Sequence, residues 1–213
     1  MSEYILNKDY FINVITDLIA LAEEKKEYFS ELDSAIGDGD HGMNMSIGFR
    51  EVNKNLEEWK AGDINSLFKN VGTALLDKVG GASGPLYGGF FAKMGLPAKG
   101  KEAVTFDDFV EMMEAGVAII EKRGKAVVGD KTMVDTLRPA VDALKTAYTD
   151  EKMAPKEAMK KALEVAEAGS DSTIPLVAKK GRAMRLGERA IGHRDPGSAS
   201  SAAIMGIFYN NMP

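Results

Sequence analysis

A chain of 213 residues with 27 basic and 32 acidic side chains carries a formal net charge of −5, which disfavours a nucleic-acid or anionic-membrane surface. With 45% hydrophobic and 28% charged residues it has the composition of an ordinary globule able to bury a core. It contains no cysteine, which excludes disulfides and thiolate metal sites, and no apolar run reaches the ~18 residues that a membrane span requires.

The opening stretch MSEYILNKDYFINVI lacks a basic start followed by an apolar stretch and a small-residue cleavage site, so no signal peptide is expected. A cytoplasmic enzyme or enzyme subunit, folded as one domain over residues 1–213, is the favoured class.

Helical periodicity dominates from there on. Phe11, Val14, Ile15, Leu18, Ile19 and Leu21 follow the three-or-four spacing of one helix face. The same spacing predicts helices over 43–56, 64–79, 106–120, 133–147, 158–168 and 198–208. Thr105 and the acids Asp107 and Asp108 precede one of these as an N-terminus prefers, and Lys122, Arg123 and Gly124 end it as a C-terminus prefers. No β-branched run alternates with polar residues between turn signals. The chain reads as all-α, with seven or eight helices.

Glycine concentrates in four junctions: GDGDHG (37–42), VGGASGPLYGG (79–89), RGKAVVGDKT (123–132) and GERAIGHRDPGS (187–198). In an up-and-down bundle alternate junctions fall at one end, so these four suggest an end specialised for a ligand.

The first junction carries acids. Asp33, Asp38 and Asp40 follow a D-x4-D-x-D spacing, and hard carboxylate oxygens on a flexible backbone suit Mg²⁺ or Ca²⁺. An EF-hand is a poor match, since Met43 and Phe49 stand where that loop needs glycine and glutamate. Carboxylates gathered at 4 Å would repel by roughly 4 kcal/mol per pair at an effective dielectric near 20, a cost that a divalent cation removes. Solvated acids in a turn explain the same spacing. His41-Gly42-Met43-Asn44 then opens a helix whose free N–H groups suit a phosphate; a buried, satisfied imidazole is the plainer reading of His41.

Gly80-Gly81-Ala82-Ser83-Gly84 is a second phosphate cradle, or else a close helix crossing. It fits neither nucleotide-binding glycine motif and no strand precedes it. Pro85 also breaks the pattern of an esterase elbow. Gly192-His193-Arg194-Asp195-Pro196-Gly197 is good turn chemistry and holds the only other histidine. Just upstream, Lys179, Lys180, Arg182 and Arg185 read as a basic helix, either solvated or supplying an arginine to a nucleotide.

Taken together, GDGDHGMNM, GGASGPLYGGFF, RGKAVVGDKTMVDTLRPA and GRAMRLGERAIGHRDPGSAS resemble the nucleotide-binding L subunit of bacterial dihydroxyacetone kinase, from about Asp33 to the C-terminus. The resemblance implies an antiparallel eight-helix barrel with ADP or ATP at one end. It implies two Mg²⁺ on Asp33, Asp38 and Asp40. Nucleotide contacts carry over to His41, Gly42, Met43 and Asn44, to Ala82, Ser83 and Gly84, to Gly124 and Met133, and to Arg182 with Asp195, Pro196 and Gly197. In that family a K subunit holds dihydroxyacetone on its own histidine. A chain without a K-like portion is similar to the phosphoenolpyruvate-dependent type, in which bound ADP is rephosphorylated by a phosphohistidine of a third subunit, M. The alternative is an L-type kinase domain using exchangeable ATP on another polyol or a carrier-held acceptor.

Overall fold

The computed structural model describes residues 4–213; the first three residues of the N-terminal stretch lie outside them. Among the described residues there are nine α-helices: α1 (Lys8–Glu24), α2 (Lys26–Ile36), α3 (His41–Trp59), α4 (Ile64–Lys78), α5 (Ser83–Met94), α6 (Phe106–Gly124), α7 (Val134–Lys145), α8 (Pro155–Ser172) and α9 (Pro196–Asn210). The expectation of seven or eight is corrected in number but not in kind. Only Lys25 separates α1 from α2, and both pack against α3 and α9, so the two act as one stave of the barrel. Each remaining helix packs on the next in sequence, and α9 returns to α1 and α2, which closes an eight-stave ring.

Two helices escape a periodicity search. α5 (SGPLYGGFFAKM) holds three glycines and a proline, poor helix formers in isolation. Tertiary packing overrides that preference. A Cβ on Gly72 of α4 would lie 2.5 Å from the Gly88 carbonyl oxygen, and one on Gly88 would lie 2.7 Å from that of Gly72. The glycines therefore allow backbone-to-backbone contact, while Phe90 and Phe91 are buried on the same helix. The other missed helix is α2, run together with α1 in the sequence.

The ends of several helices are set locally. Asn7 caps α1 through Tyr10 N–H at 3.0 Å, and Asp63 caps α4 through Ser66 N–H at 2.7 Å. Thr105 and Asp108 form a reciprocal capping box at the start of α6. At its far end the left-handed residue is Lys125 (φ 49), one place after the glycine expected to terminate it; Gly124 stays helical. A short antiparallel pair, β1 (Ile5–Asn7) with β2 (Ala103–Thr105), aligns Leu6 with Val104 beside the starts of α1 and α6. It is too short to leave a period-two signature.

The barrel interior is filled by side chains. Phe11 meets Phe68 edge-on at 5.4 Å between centroids, Phe68 stacks on Phe91 at 6.2 Å, and Phe109 lies 6.0 Å from Phe208. All five rings are 1% exposed or less. None of the helices among the described residues is long and apolar enough to cross a membrane.

Alternation along the ring puts the α2–α3, α4–α5, α6–α7 and α8–α9 connections at one end. These are the four glycine-rich junctions, and four helix N-termini (α3, α5, α7 and α9) point toward the space between them.

Candidate functional site

A cleft of about 320 Å³ opens between the four junctions. Its wall takes Asp33, Gly37, Asp40 and His41 from the first, Gly80 to Ser83 with Leu86 from the second, and Lys131 to Met133 from the third. Lys180 to Ala183, Arg185 and Asp195 to Gly197 come from the last. Of the residues anticipated from sequence, Asp38, Gly42, Met43, Asn44, Gly84 and Gly124 stand beside or behind this wall.

The acidic corner is built by the α2–α3 turn. Asp33, on the last turn of α2 and 9% exposed, accepts the backbone N–H of Asp40 at 2.9 Å and of His41 at 3.1 Å through Oδ2. It thereby caps α3 from the preceding helix. Gly37 has to be glycine, because its Cβ would fall 2.1 Å from Asp33 Oδ1, and Gly39 turns the chain at φ +78. Gly42 lies so close to α2 that a Cβ would sit 1.9 Å from the Lys26 carbonyl oxygen. One oxygen each from Asp33, Asp38 and Asp40 lies within 4.8 Å of the others. Arg182 pairs with Asp38, and with Asp40 at 3.4 Å. Burial raises the Asp33 pKa, opposed by its two backbone hydrogen bonds and reinforced by the neighbouring Asp38 and Asp40 charges. Three carboxylates facing one guanidinium leave excess negative charge on hard oxygen donors, a set that fits a divalent cation such as Mg²⁺.

Opposite the acids, the α4–α5 turn passes through Gly81 at φ +65 with open space where a Cβ would be. Gly80 lies against the Asn44 side chain, which explains why Asn44 sits near the glycine turn without lining the cleft. α5 has no side-chain cap, so its first N–H groups stay available at the positive end of the helix dipole, whereas at α7 the Val134 N–H donates to Thr132 Oγ1 at 3.1 Å and the Asp135 N–H to the Thr132 carbonyl oxygen at 3.1 Å. α9 differs: Asp195 Oδ2 accepts Ser198 N–H at 2.7 Å. Burial pushes the Asp195 carboxyl up to about 7, with the Ser198 N–H opposing.

Beneath the floor runs a hydroxyl network that the sequence did not reveal. The His41 ring lies 3.2 Å (Nδ1) from Ser83 Oγ and 2.9 Å (Nε2) from Ser200 Oγ. Ser200 Oγ in turn lies 2.6 Å from the Tyr87 hydroxyl, which is also 3.0 Å from Ser201 Oγ and 3.2 Å from the Gly197 carbonyl oxygen. The network ties α3, α5 and α9 together. Burial lowers the His41 pKa from 6.5 to about 4 and lifts Tyr87 to about 12, so both are neutral at pH 7. Their partners lie on strings singled out as glycine-rich or small-residue segments, and only the tertiary contacts make them a set.

The segment taken from sequence as a basic helix is instead a series of 3-10 turns over Arg182–Ala190, broken at Gly187 (φ 57, ψ −130). It crosses the cleft as a strap. Ala178, Ala183 and Ala190 bury against Ile36 of α2, while Lys180, Arg182 and Arg185 line the cleft beneath it.

Residues 35–210 match the family described as the DAK2 domain. A Listeria innocua protein, the ADP-binding subunit DhaL of PEP-dependent dihydroxyacetone kinase 2, is 50% identical over 214 residues, spanning 100% of this chain and 98% of its own. The corresponding Escherichia coli DhaL subunit is 38% identical over 200 residues, 94% of this chain and 95% of its own. The crystal structure of the dihydroxyacetone kinase from C. freundii in complex with AMP-PNP and Mg²⁺ superposes with a TM-score of 0.71 at 25% identity, covering 93% of this chain. This chain spans 33% of that longer one. The chain belongs to the DAK2 family and, within it, to the DhaL subunits of phosphoenolpyruvate-dependent dihydroxyacetone kinases, which makes it part of a phosphotransferase.

Proposed function

We propose that residues 1–213 act as one nucleotide-carrying unit that binds ADP or ATP with two Mg²⁺ in the four-junction cleft. It would pass a phosphoryl group to dihydroxyacetone held on a K subunit and have its ADP recharged by the phosphohistidine of an M subunit. The observation that carries this reading is the facing of three clustered carboxylates and Arg182 against the uncapped N-terminus of α5 across one cleft.

In this reading Asp33, Asp38 and Asp40 hold the metal, which when bound neutralises phosphate oxygens and draws charge from the transferring group. Ala82, Ser83 and Gly84 cradle phosphate with the N-terminus of α5; from α3 the N–H groups of Gly42 and Met43 are the ones left to join them, because the His41 N–H goes to Asp33 and the Asn44 N–H to Asp40. Met133, with Gly124 behind it and Asp195, Pro196 and Gly197 beside it, borders the remaining nucleotide. Arg182 adds positive potential where charge gathers during transfer. His41, neutral and bonded at both ring nitrogens, fixes Ser83 rather than taking a proton. Phosphoryl transfer asks mainly for positioning and charge neutralisation, and this chain supplies both without a nucleophile of its own.

Incubation with the K subunit, dihydroxyacetone and either ATP or a phosphoenolpyruvate relay ending in the M subunit tests the proposal. Dihydroxyacetone phosphate is expected from the relay, with substoichiometric ADP sufficing. Equal turnover on ATP without the relay would favour the exchangeable-ATP alternative, and no Mg–ADP binding would refute the nucleotide reading.

A further inference from the structure

Lys131 is the one cation among the described residues that is fully buried, at 1% exposure, and it belongs to no ion pair. Its backbone takes the left-handed conformation at φ +62, which costs a side-chain-bearing residue roughly 1–2 kcal/mol. The conformation aims the side chain inward beneath the strap. There Nζ donates to the carbonyl oxygens of Thr173 at 2.7 Å, Ala190 at 2.9 Å and His193 at 2.5 Å.

An ammonium has three N–H bonds, and all three are used. Lysine at the end of a glycine-rich junction invites assignment as a phosphate ligand, but this one has no donor left to give. Its acceptors are also informative. Thr173 is the C-cap of α8, where a cation meets the negative end of the helix dipole; Ala190 and His193 lie on the returning limb of the strap. The two limbs are thus joined through one charge. The neighbouring Asp130 carbonyl accepts Lys179 N–H at 3.1 Å, so the same turn grips the strap midway as well. Between the grips the strap carries Arg182 across the cleft to Asp38 and Asp40.

We propose that Lys131 is a positioning residue that fastens both limbs of the 174–194 strap through their backbone carbonyls, and so holds Arg182 over the cleft. Its effect on nucleotide lifetime rests on the reading of the cleft as an Mg–ADP site; its effect on the strap does not. Burying an ammonium is costly unless its hydrogen bonds are satisfied, and a methionine would fill the same volume without that cost. What the charge provides is a three-way crosslink for a segment that has neither a helical ladder of any length nor a sheet.

The test begins with the unaltered chain and no nucleotide. Heteronuclear NMR is expected to show the Lys131 ammonium protons as a slowly exchanging signal, at least tenfold slower than those of exposed lysines; exchange at the exposed rate overturns the proposal. In Lys131→Met, amide exchange of residues 174–194 is expected to accelerate tenfold or more while α4–α6 stays unchanged. Unchanged strap exchange in the folded variant, or an acceleration spread evenly over the helices, overturns it. Mg–ADP dissociation from the same variant is expected to quicken at least tenfold. In Lys131→Ala, n-propylammonium is expected to slow it again where tetramethylammonium at equal ionic strength does not; equal effects of the two salts overturn the charge-based crosslink. If the unaltered chain binds no Mg–ADP, the nucleotide reading fails, and the ammonium and strap measurements still decide the role of Lys131.

Discussion

The α4–α5 crossing offers a quantitative test of how packing serves the cleft. In Gly72→Ala the new methyl would lie 2.5 Å from the Gly88 carbonyl oxygen and 2.7 Å from both the backbone nitrogen and the Cβ of Ala92. Reaching an ordinary contact of about 3.5 Å requires α5 to retreat by about 1 Å. Most of the obstacle is backbone, so no rotamer change relieves it, and the overpacking cost belongs near the upper end of the usual range, about 3 kcal/mol. Alanine recovers about 1 kcal/mol through its helix propensity. The expected net loss is about 2 kcal/mol, which for a chain of this size lowers Tm by about 4–8 °C. Because α5 carries Ser83 and Tyr87, the same displacement would loosen the 3.2 Å approach of His41 to Ser83 and weaken Mg–ADP binding. Thermal unfolding followed by circular dichroism, with titration calorimetry for the nucleotide, reads both effects. A Gly72→Ala chain with unchanged or higher Tm would refute the close-crossing account.

Gly124→Ala is the matched control: its Cβ would touch only Leu86 Cδ2, at 3.6 Å, so stability is expected to hold or rise by up to about 1 kcal/mol. Asp38→Asn is expected to abolish Mg²⁺-dependent retention of ADP while leaving helix content intact, since Asp38 is exposed and supports no helix start; unchanged nucleotide affinity would contradict the metal assignment. His41 prefers its neutral form in the fold. Its stabilisation is therefore complete above pH 6.5 and is lost as pH falls toward its folded value of about 4. At about 1.4 kcal/mol per pH unit the full loss is about 3 kcal/mol. An NMR titration placing the His41 midpoint near 6.5 would rule out that account, whereas the net slope of unfolding free energy also carries the opposite linkage of Asp195, raised to about 7.

The candidate site was legible unevenly. The acids of GDGDHG, the glycine cradle and the Asp195-Pro196-Gly197 turn could be picked out because turn chemistry and charge are local properties of a few adjacent residues. The structure brings Asp33, Asp38 and Asp40 together and sets Arg182 beside them. Lys131 lay inside a quoted motif without being singled out, because nothing in its neighbours along the chain says that its side chain turns inward. Tyr87 and Ser200 were passed over for the same reason, their partners being separated by more than a hundred residues.

By itself, the sequence determined the all-α class, the positions of most helices and the four glycine-rich junctions that gather at one end of the barrel. Amphipathic spacing, caps and glycine clusters each act within a few residues, so they survive in a one-dimensional reading. The tertiary structure decided that α5 is a helix despite its glycines, that α1 and α2 form one stave, and that the basic segment is a strap rather than a helix. It also decided that His41 stays uncharged and that Lys131 spends its three protons on backbone. Each of these depends on which distant surfaces come into contact and on how far water is excluded between them, and neither is written in the order of neighbouring residues.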